Sequence, residues 1–582
     1  MMSRRCTFVA VVVLVAFVAL LSFACSSTSN GGGVTGRPDA AAEGAPGEDA
    51  PSGVVPDASD AGDAGIATPL LVALSVTGSD GAAGIALVPS FAPTVYDYYV
   101  RCAAGTNDLT VTMTASDGAG SSLSQPTTSS VAASQTLQVS VTENQAIVAV
   151  AAQGENTTQY WVRCLPHDFP RLQMNSHPDA GVPPAGYYLV GNLETTASAG
   201  YAMVLNGNGV PVWYYALAAG LGVVDVDDVA SGAVSFVPSS TTMVENFEIH
   251  HLSPASTTTL APTGYATDTH ELRVLPNGDY LVLSYPFTSG VDLTGLAVAS
   301  TVDGGAPDEL GPDSTIQDCA VVEFEPSGAV VQTWLASDHF DPAQDSTLPL
   351  TGFGPDSTLP DGGAVYDVFH CNSIDVDPSN GNLLVSAREM DSIFYVEWST
   401  GRVLWKMGGA TASKDGATYV SVADPFFRQH DARLQPGWSS GCNGGTGQIS
   451  LFDDESEKPG PARGVLYDVV VGGADGGDGG APGCDGGAEP DGGAPGRATI
   501  AWQYEGTVSS SATGSFRISP DGSRVIGWGL GGAPDLAFTE VDADGNDLLD
   551  FDFTDGNATY RAIKVPTSTF DLGVLRSTAG TQ

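Results

Sequence analysis

His370-Cys-Asn-Ser-Ile-Asp-Val-Asp-Pro378-Ser-Asn-Gly-Asn-Leu-Leu-Val385 is the stretch on which the fold turns. A short apolar-alternating run leads into Pro, Asn and Gly, and a second apolar run follows, which reads as a hairpin. The pattern returns at His270-Glu-Leu-Arg-Val-Leu-Pro276-Asn-Gly-Asp-Tyr-Leu-Val-Leu283 and at Gly514-Ser-Phe-Arg-Ile-Ser-Pro520-Asp-Gly-Ser-Arg-Val-Ile526. A second hairpin follows each: Val322-Glu-Phe-Glu-Pro-Ser-Gly328-Ala-Val-Val331, Val396-Glu-Trp-Ser-Thr-Gly401-Arg-Val-Leu-Trp405, and Glu540-Val-Asp-Ala-Asp-Gly545-Asn-Asp-Leu-Leu549. Two hairpins make a four-stranded unit. Repeated units spaced by insertions predict the blades of a β-propeller around a central channel. Six are expected, near 186–216, 221–262, 270–336, 370–408, 430–505 and 513–553, with Tyr560-Arg-Ala-Ile-Lys-Val565 closing the ring.

Ahead of the repeats, residues 69–165 alternate in short Val- and Thr-rich runs such as Leu109-Thr-Val-Thr-Met113 and Leu137-Gln-Val-Ser-Val141. They predict a small β-sandwich. With Pro89-Ser-Phe-Ala-Pro and Tyr96-Asp-Tyr, this segment resembles the cadherin-like modules of bacterial surface proteins. The fold expected is therefore all-β: a six-bladed propeller over 166–582 preceded by a sandwich. A Gly/Asp-rich tract at 472–496 reads as a loop inserted in a blade, its Asp-Gly runs lacking the ligand spacing of a calcium loop.

Arg4 and Arg5 precede an almost purely apolar run from Thr7 to Leu21, then Leu21-Ser22-Phe23-Ala24-Cys25. That is an export signal over 1–25. Its end resembles a bacterial lipobox, with the Leu one place further from the Cys, and implies lipidation at Cys25. Residues 26–68 hold little but Ser, Gly, Ala, Pro and Asp, which suits a disordered tether. No second apolar run is long enough to span a bilayer. The chain is thus expected to be extracytoplasmic, a periplasmic or surface lipoprotein that meets the membrane only through its lipid. Lys and Arg total 21 against 67 Asp and Glu, a net charge of −46, so no nucleic-acid partner is expected. Gly 72 and Pro 37 are nearly a fifth of the chain, which disfavours a helical fold.

Six of the eight cysteines lie beyond the signal and Cys25, in a space where disulfides persist. Cys102 and Cys164 end matching strands and are the first pairing expected. Cys442 with Cys484 would tie the glycine-rich tract, leaving Cys319 with Cys371.

Three of the eight histidines stand at the start of a repeat. His270 is six residues before Pro276 and His430 six before Pro436. Asn372 is six before Pro378, with His370 two residues earlier. Strand alternation would put His370 and Asn372 on one face. If the units are blades, these side chains meet across the channel. Arg388 would lie across the turn from His370. Such a group suits an anion. A lone histidine at a strand start is usually structural, but recurrence at equivalent positions favours a shared role for these three. His250, His251, His167, His177 and His339 keep the structural reading. A three-histidine zinc site is the competing chemistry, and Arg388 would repel the metal, so no metal is expected.

At these residues the sequence resembles the arylsulfate sulfotransferases of bacteria, which use phenolic sulfates rather than a nucleotide donor. The text that carries it is Asp268-Thr-His270-Glu-Leu; His370-Cys-Asn372-Ser-Ile with Val385-Ser-Ala-Arg388; Thr400-Gly-Arg-Val-Leu-Trp405-Lys-Met-Gly-Gly409; Phe427-Arg-Gln429-His430-Asp431-Ala432; Leu451-Phe-Asp453; and Thr539-Glu540-Val. The resemblance implies a six-bladed propeller and an exported enzyme without a cofactor. Its substrates would be an aryl sulfate donor and a phenolic acceptor. It implies His430 as the nucleophile that is transiently sulfated, with His270, His370, Asn372 and Arg388 holding the sulfuryl oxygens. The proton-transfer role stays open between His270 and His370. Thr513 and Ser515 are not assigned to the family's late hydroxyl. A homodimer is compatible with the sequence. Two other readings are a non-catalytic lipoprotein whose propeller binds a ligand or partner, and a quinone-dependent dehydrogenase on a similar propeller.

Overall fold

In the computed structural model the described residues are 68–581, apart from 80–84, 194–198, 240–245, 299–306, 348–356, 359–362, 442–444, 457, 459, 473–495 and 532–535. The export signal with Cys25, the tether up to residue 67, the tract at 473–495 and the Cys442–Cys484 pairing lie outside them.

Three repeats predicted from sequence close their hairpins in one way. The residue before the turn donates its N–H across to the far strand: Leu275 to Asp279 O, Asp377 to Asn382 O and Ser519 to Ser523 O, each at 2.8 Å. Gly278 sits at φ +92° in the first of these turns, a conformation that a side chain disfavours. The hairpins pair into six four-stranded blades, some joined by further strands into larger sheets. Blade 1 is Gly186–Gly191, Ala199–Leu205 and Pro211–Ala219, completed by Ala562–Pro566 from the far end of the chain. Blade 2 is Gly222–Ala230, Ala233–Ser239, Glu248–Leu252 and Ala255–Thr259. Blade 3 is Leu272–Val274, Tyr280–Ser284, Ala320–Phe324 and Val330–Leu335. Blade 4 is Cys371–Val376, Leu383–Ala387, Ser392–Glu397 and Arg402–Gly408. Blade 5 is His430–Leu434, Thr446–Asp453, Arg463–Val470 and Gly496–Glu505. Blade 6 is Ser515–Ile518, Arg524–Gly527, Leu536–Val541 and Asp547–Phe553.

The first strands of blades 2 to 6 neighbour one another in order, and Ala562–Pro566 fills the remaining place in the ring. The fold is therefore the six-bladed propeller, closed by the strand Ala562–Pro566, which overlaps the run expected from sequence. Apolar side chains fill the spaces between blades, as with Leu384, Tyr395, Trp405, Ile449 and Val465 between blades 4 and 5. Each blade thus buries both faces against neighbours. Sequence reading missed two additions. Leu172–Ser176 pairs with the outer edge of blade 6. Thr418–Val422 pairs in parallel with strands of blades 4 and 5, joining them into one sheet. A further small sheet, Phe287–Val291, Ser314–Gln317, Ser357–Thr358 and Ala364–Asp367, is inserted around blade 3 and ends just before His370.

Residues 71–165 form a three-stranded and a four-stranded sheet around a core of Leu71, Val76, Val100, Met113, Ile147 and Val162. Two disulfides form as expected, Cys102–Cys164 within this sandwich and Cys319–Cys371 between blades 3 and 4. They place the chain in an oxidising, non-cytoplasmic compartment. No helix among the described residues is long and apolar enough to cross a membrane. Replacing both Cys319 and Cys371 by Ala should lower stability by about 2–5 kcal/mol. Guanidinium denaturation reads this as an earlier midpoint; an unchanged midpoint would show that the link adds no stability.

Candidate active site

Inner strands begin at one mouth of the channel, and that is where the histidines stand. His270 precedes Leu272–Val274, His370 precedes Cys371–Val376, and His430 opens His430–Leu434. Their rings meet: His270 is 5.0 Å from His370 and 6.4 Å from His430, centroid to centroid. Tyr285 and Tyr560 close the group at 6.0 and 5.7 Å from His270. His430 is 1% exposed and His270 4%. Arg388 lies across from His370, its N–H donating to His370 O at 2.9 Å, as the sequence placed it.

Strand alternation is not what orients His370 and Asn372. His370 has φ +49°, and the register shifts between Cys371 and Ser373. Asn372 turns its amide to Gln429 O at 2.7 Å. Left-handed backbone recurs around the mouth at Asp225 (+52°), Arg428 (+60°), Asp431 (+57°) and Thr513 (+65°). Each such residue costs on the order of 1–3 kcal/mol and persists where surrounding contacts impose it.

Every one of the three histidines is held through Nδ1 by an aspartate. Asp268 takes His270, and Asp367 takes His370 at 2.5 Å. Asp454 lies 3.1 Å from His430 Nδ1. His430 Nδ1 is also 3.1 Å from Arg428 O. A carbonyl can only accept, so Nδ1 carries the proton and Nε2 keeps its lone pair. Burial, with Arg388, His270, His370 and Arg561 nearby, pushes His430 well below the ordinary imidazole range. His370 goes the other way: burial pulls it down, but the Asp367 carboxylate outweighs that and holds it above the ordinary range. One ring is kept neutral and its neighbour is disposed to hold a proton.

Beneath the histidines the channel is filled by paired charges. Asp431 takes Arg433 and Arg517, Arg433 reaches Glu271 at 2.5 Å, and Arg561 pairs with Asp225 at 2.6 Å. Arg561 also donates to Asn372 O at 2.7 Å. Burial pushes the Asp431 carboxyl up, but Arg517, Arg433 and Arg561 together hold it well below the usual carboxylate range. Arg388 donates to Glu389 and to Ser511 O, leaving its Nε buried without a partner. Asn372 Oδ1, Asp454 Oδ2, Thr513 Oγ1, Tyr560 Oη and Arg561 Nε are also buried without a hydrogen-bond partner. Buried polar atoms are rarely left so; their gathering around three histidines marks a place made for a polar ligand.

Sequence reading missed Asp454, Tyr560 and Arg561 as site residues. Arg561 had a signal, since its strand was read as the ring closure. Of the two hydroxyls left unassigned, Ser515 is engaged with Ala562 O at 3.0 Å, whereas Thr513 is unpartnered. Of the other histidines, His250 stacks on Phe236 at 4.5 Å and His339 on Trp334 at 5.0 Å. His177 lines a cleft of about 680 Å³ at the outer edge of blade 6, away from this group. Among the described residues no group of three or more His, Cys, Asp or Glu is arranged to hold a metal.

Residues 248–471 match the family model for arylsulfotransferase (ASST), a span that contains all three histidines, Asn372, Arg388 and Asp454. That segment belongs to the arylsulfotransferase family. The match runs from the third strand of blade 2 to the third strand of blade 5. No curated protein matches the chain. Among solved structures, a protein of unknown function from Bacteroides caccae is 12% identical, over 66% of this chain and 99% of that one, with a TM-score of 0.34. An auxiliary nutrient binding protein from Bacteroides thetaiotaomicron is 10% identical over 78% and 95%, with a TM-score of 0.27. A quinonprotein alcohol dehydrogenase-like protein from the same organism is 10% identical over 66% and 94%, at 0.19. Likeness at that level carries nothing about the chemistry of this chain.

Proposed function

We infer that the chain transfers a sulfuryl group from a phenolic sulfate ester to a phenolic acceptor, with His430 as the group sulfated in between. The observation that carries this is His430 itself: a buried, neutral imidazole whose Nδ1 is held and whose Nε2 keeps its pair, beside the unpartnered Nε of Arg388. A sulfuryl group in transfer resembles a phosphoryl group, loosely bonded with its charge spread over oxygens. Catalysis then asks for a positioned nucleophile and donors aimed at that charge. His430 Nε2 attacks sulfur, and the aryl oxygen leaves with the bonding pair. Arg388, Asn372 and His270 hold the sulfuryl oxygens. His370, the ring that retains a proton, protonates the departing phenolate and later takes the proton of the incoming phenol. Splitting the reaction at a covalent intermediate predicts ping-pong kinetics.

His430 stays neutral to well below the ordinary imidazole range, so its own protonation sets no limb near neutral pH. The alkaline limb is set by His370, whose acid form is present below its raised value and lost as pH rises through it. His370→Gln should therefore remove the alkaline limb of donor cleavage. It should slow cleavage of unsubstituted phenyl sulfate by about 10²–10⁴-fold and that of 4-nitrophenyl sulfate far less, because the better leaving group needs little protonation. Equal losses with both donors would remove His370 from the acid's role.

Around this centre we assign a lipoprotein signal over 1–25 with lipidation at Cys25, a tether to residue 68, a sandwich over 69–165 and the propeller over 166–582, in the periplasm or at the cell surface. The test is release of aryl alcohol from a chromogenic aryl sulfate, with and without added phenol. Release that rises with phenol supports transfer. Release indifferent to phenol means a sulfatase, and no release from folded protein means a binding propeller.

A further inference from the structure

The reaction above leaves one buried acid without a role. Asp454 follows the strand Thr446–Asp453, and its side chain is fully enclosed. Both carboxylate oxygens lie 3.1 Å from His430 Nδ1, and Oδ2 has no hydrogen bond of its own. Its neighbour Asp453 is a contrast, receiving Phe427 N–H and Arg463 Nε at 2.9 Å each. Among the described residues Asp454 has one ion-pair partner within reach, and it is His430. An enclosed carboxyl with no Arg or Lys in direct contact is expensive to keep, and it is placed on the far nitrogen of the ring that reacts.

We propose that Asp454 is a positioning residue for sulfuryl transfer: its carboxylate keeps the proton on Nδ1 of His430 and balances the charge the ring gains once Nε2 is sulfated. This rests on His430 being the sulfated group. In the first half-reaction the bond from sulfur to the aryl oxygen breaks. The oxygen leaves with the pair and takes a proton from His370. The lone pair of His430 Nε2 forms the new bond to sulfur, while Nδ1 keeps its proton, so the ring becomes a cation facing Asp454. In the second half the phenol oxygen attacks sulfur and its proton goes to His370. Nε2 recovers its pair, and the ring is neutral again.

The groups facing Asp454 are His430, Asp453, Arg388 and Arg428; those facing His430 are Arg388, His270, His370 and Arg561. Burial, with Asp453, raises the Asp454 carboxyl well above its usual range against the pull of Arg388 and Arg428. Its ionised form is therefore lost as pH falls through that raised value. Neutral His430 persists to well below the imidazole range. The acidic limb of donor cleavage is thus assigned to Asp454.

Asp454→Asn tests this, because it keeps the size and an oxygen acceptor for Nδ1–H but removes the charge. Purified protein is mixed rapidly with 4-nitrophenyl sulfate over a range of pH, the first turnover is followed, and sulfated enzyme is weighed by mass spectrometry. The expected result is a first turnover slowed by about 10²-fold or more, with the acidic limb moved to lower pH. A first turnover within twofold of the parent, or a slower one with the limb unmoved, overturns the proposal. Should Asp454→Asn fail to fold, Asp454→Glu is the second variant, expected to keep the acidic limb; loss of the limb there overturns it equally. A parent enzyme that forms no adduct on His430 removes the reading of His430 itself, which the variants alone would not do.

Discussion

His430→Ala should abolish transfer. The loss in kcat is expected to reach about 10⁴-fold or more, as when a covalent nucleophile is removed from other group-transfer enzymes. The change removes the Nδ1 contacts to Asp454 and a main-chain carbonyl, so the comparison is made on variant protein shown to be folded by circular dichroism. Mass spectrometry of the parent after donor and no acceptor should find one added sulfuryl group on the peptide that carries His430. In His430→Ala that mass should be missing and the first-turnover release of aryl alcohol should vanish. Full activity in the variant would move the nucleophile elsewhere among the three histidines.

Arg561→Met should be the most destabilising single change at the channel. Arg561 is 2% exposed and pairs with Asp225 at 2.6 Å and Glu271 at 3.3 Å while donating to Asn372 O. Removing one partner of a buried ion pair leaves the other charges uncompensated, a cost of about 3–5 kcal/mol. The change also loosens Tyr560 and Asn372, and the strand Ala562–Pro566 that closes the ring begins at the next residue. Denaturant melts should show an earlier midpoint, and donor cleavage should fall even where the variant remains folded. A double change of Arg561→Met with Asp225→Asn should recover part of the stability. No recovery would show that ring closure rather than charge sets the loss.

The repeat itself made the fold legible. Alternation and the turn residues Pro276-Asn-Gly278 act over a few residues, and hairpins are local objects. The closing strand was legible too, since an apolar run left over at the end of a repeat array has one open place to go. Leu172–Ser176 on the edge of blade 6 and Thr418–Val422 between blades 4 and 5 were not legible. Both are short, and their pairing is with strands far away in the chain, or in parallel, which no local pattern encodes. The candidate site divides along the same line. His270, His370 and His430 recur at equivalent positions, so the period exposed them. Asp454 lies 24 residues after the ring it holds, and nothing in its surrounding sequence distinguishes it from Asp453.

What the sequence by itself determined is the set of blades, the ring closure, an even set of cysteines in an oxidising compartment and three histidines at equivalent places in the repeat. Each follows from a period, a compartment or a count. Only the tertiary structure decided that these histidines are unlike. Asp367 holds one above the ordinary imidazole range, while burial among Arg388, Arg561 and the other two rings holds His430 well below it. That difference comes from distances of a few ångströms between residues on separate blades, and the strength of a charge's neighbourhood depends on those distances and on the exclusion of water. A linear order of residues specifies neither until the ring has closed.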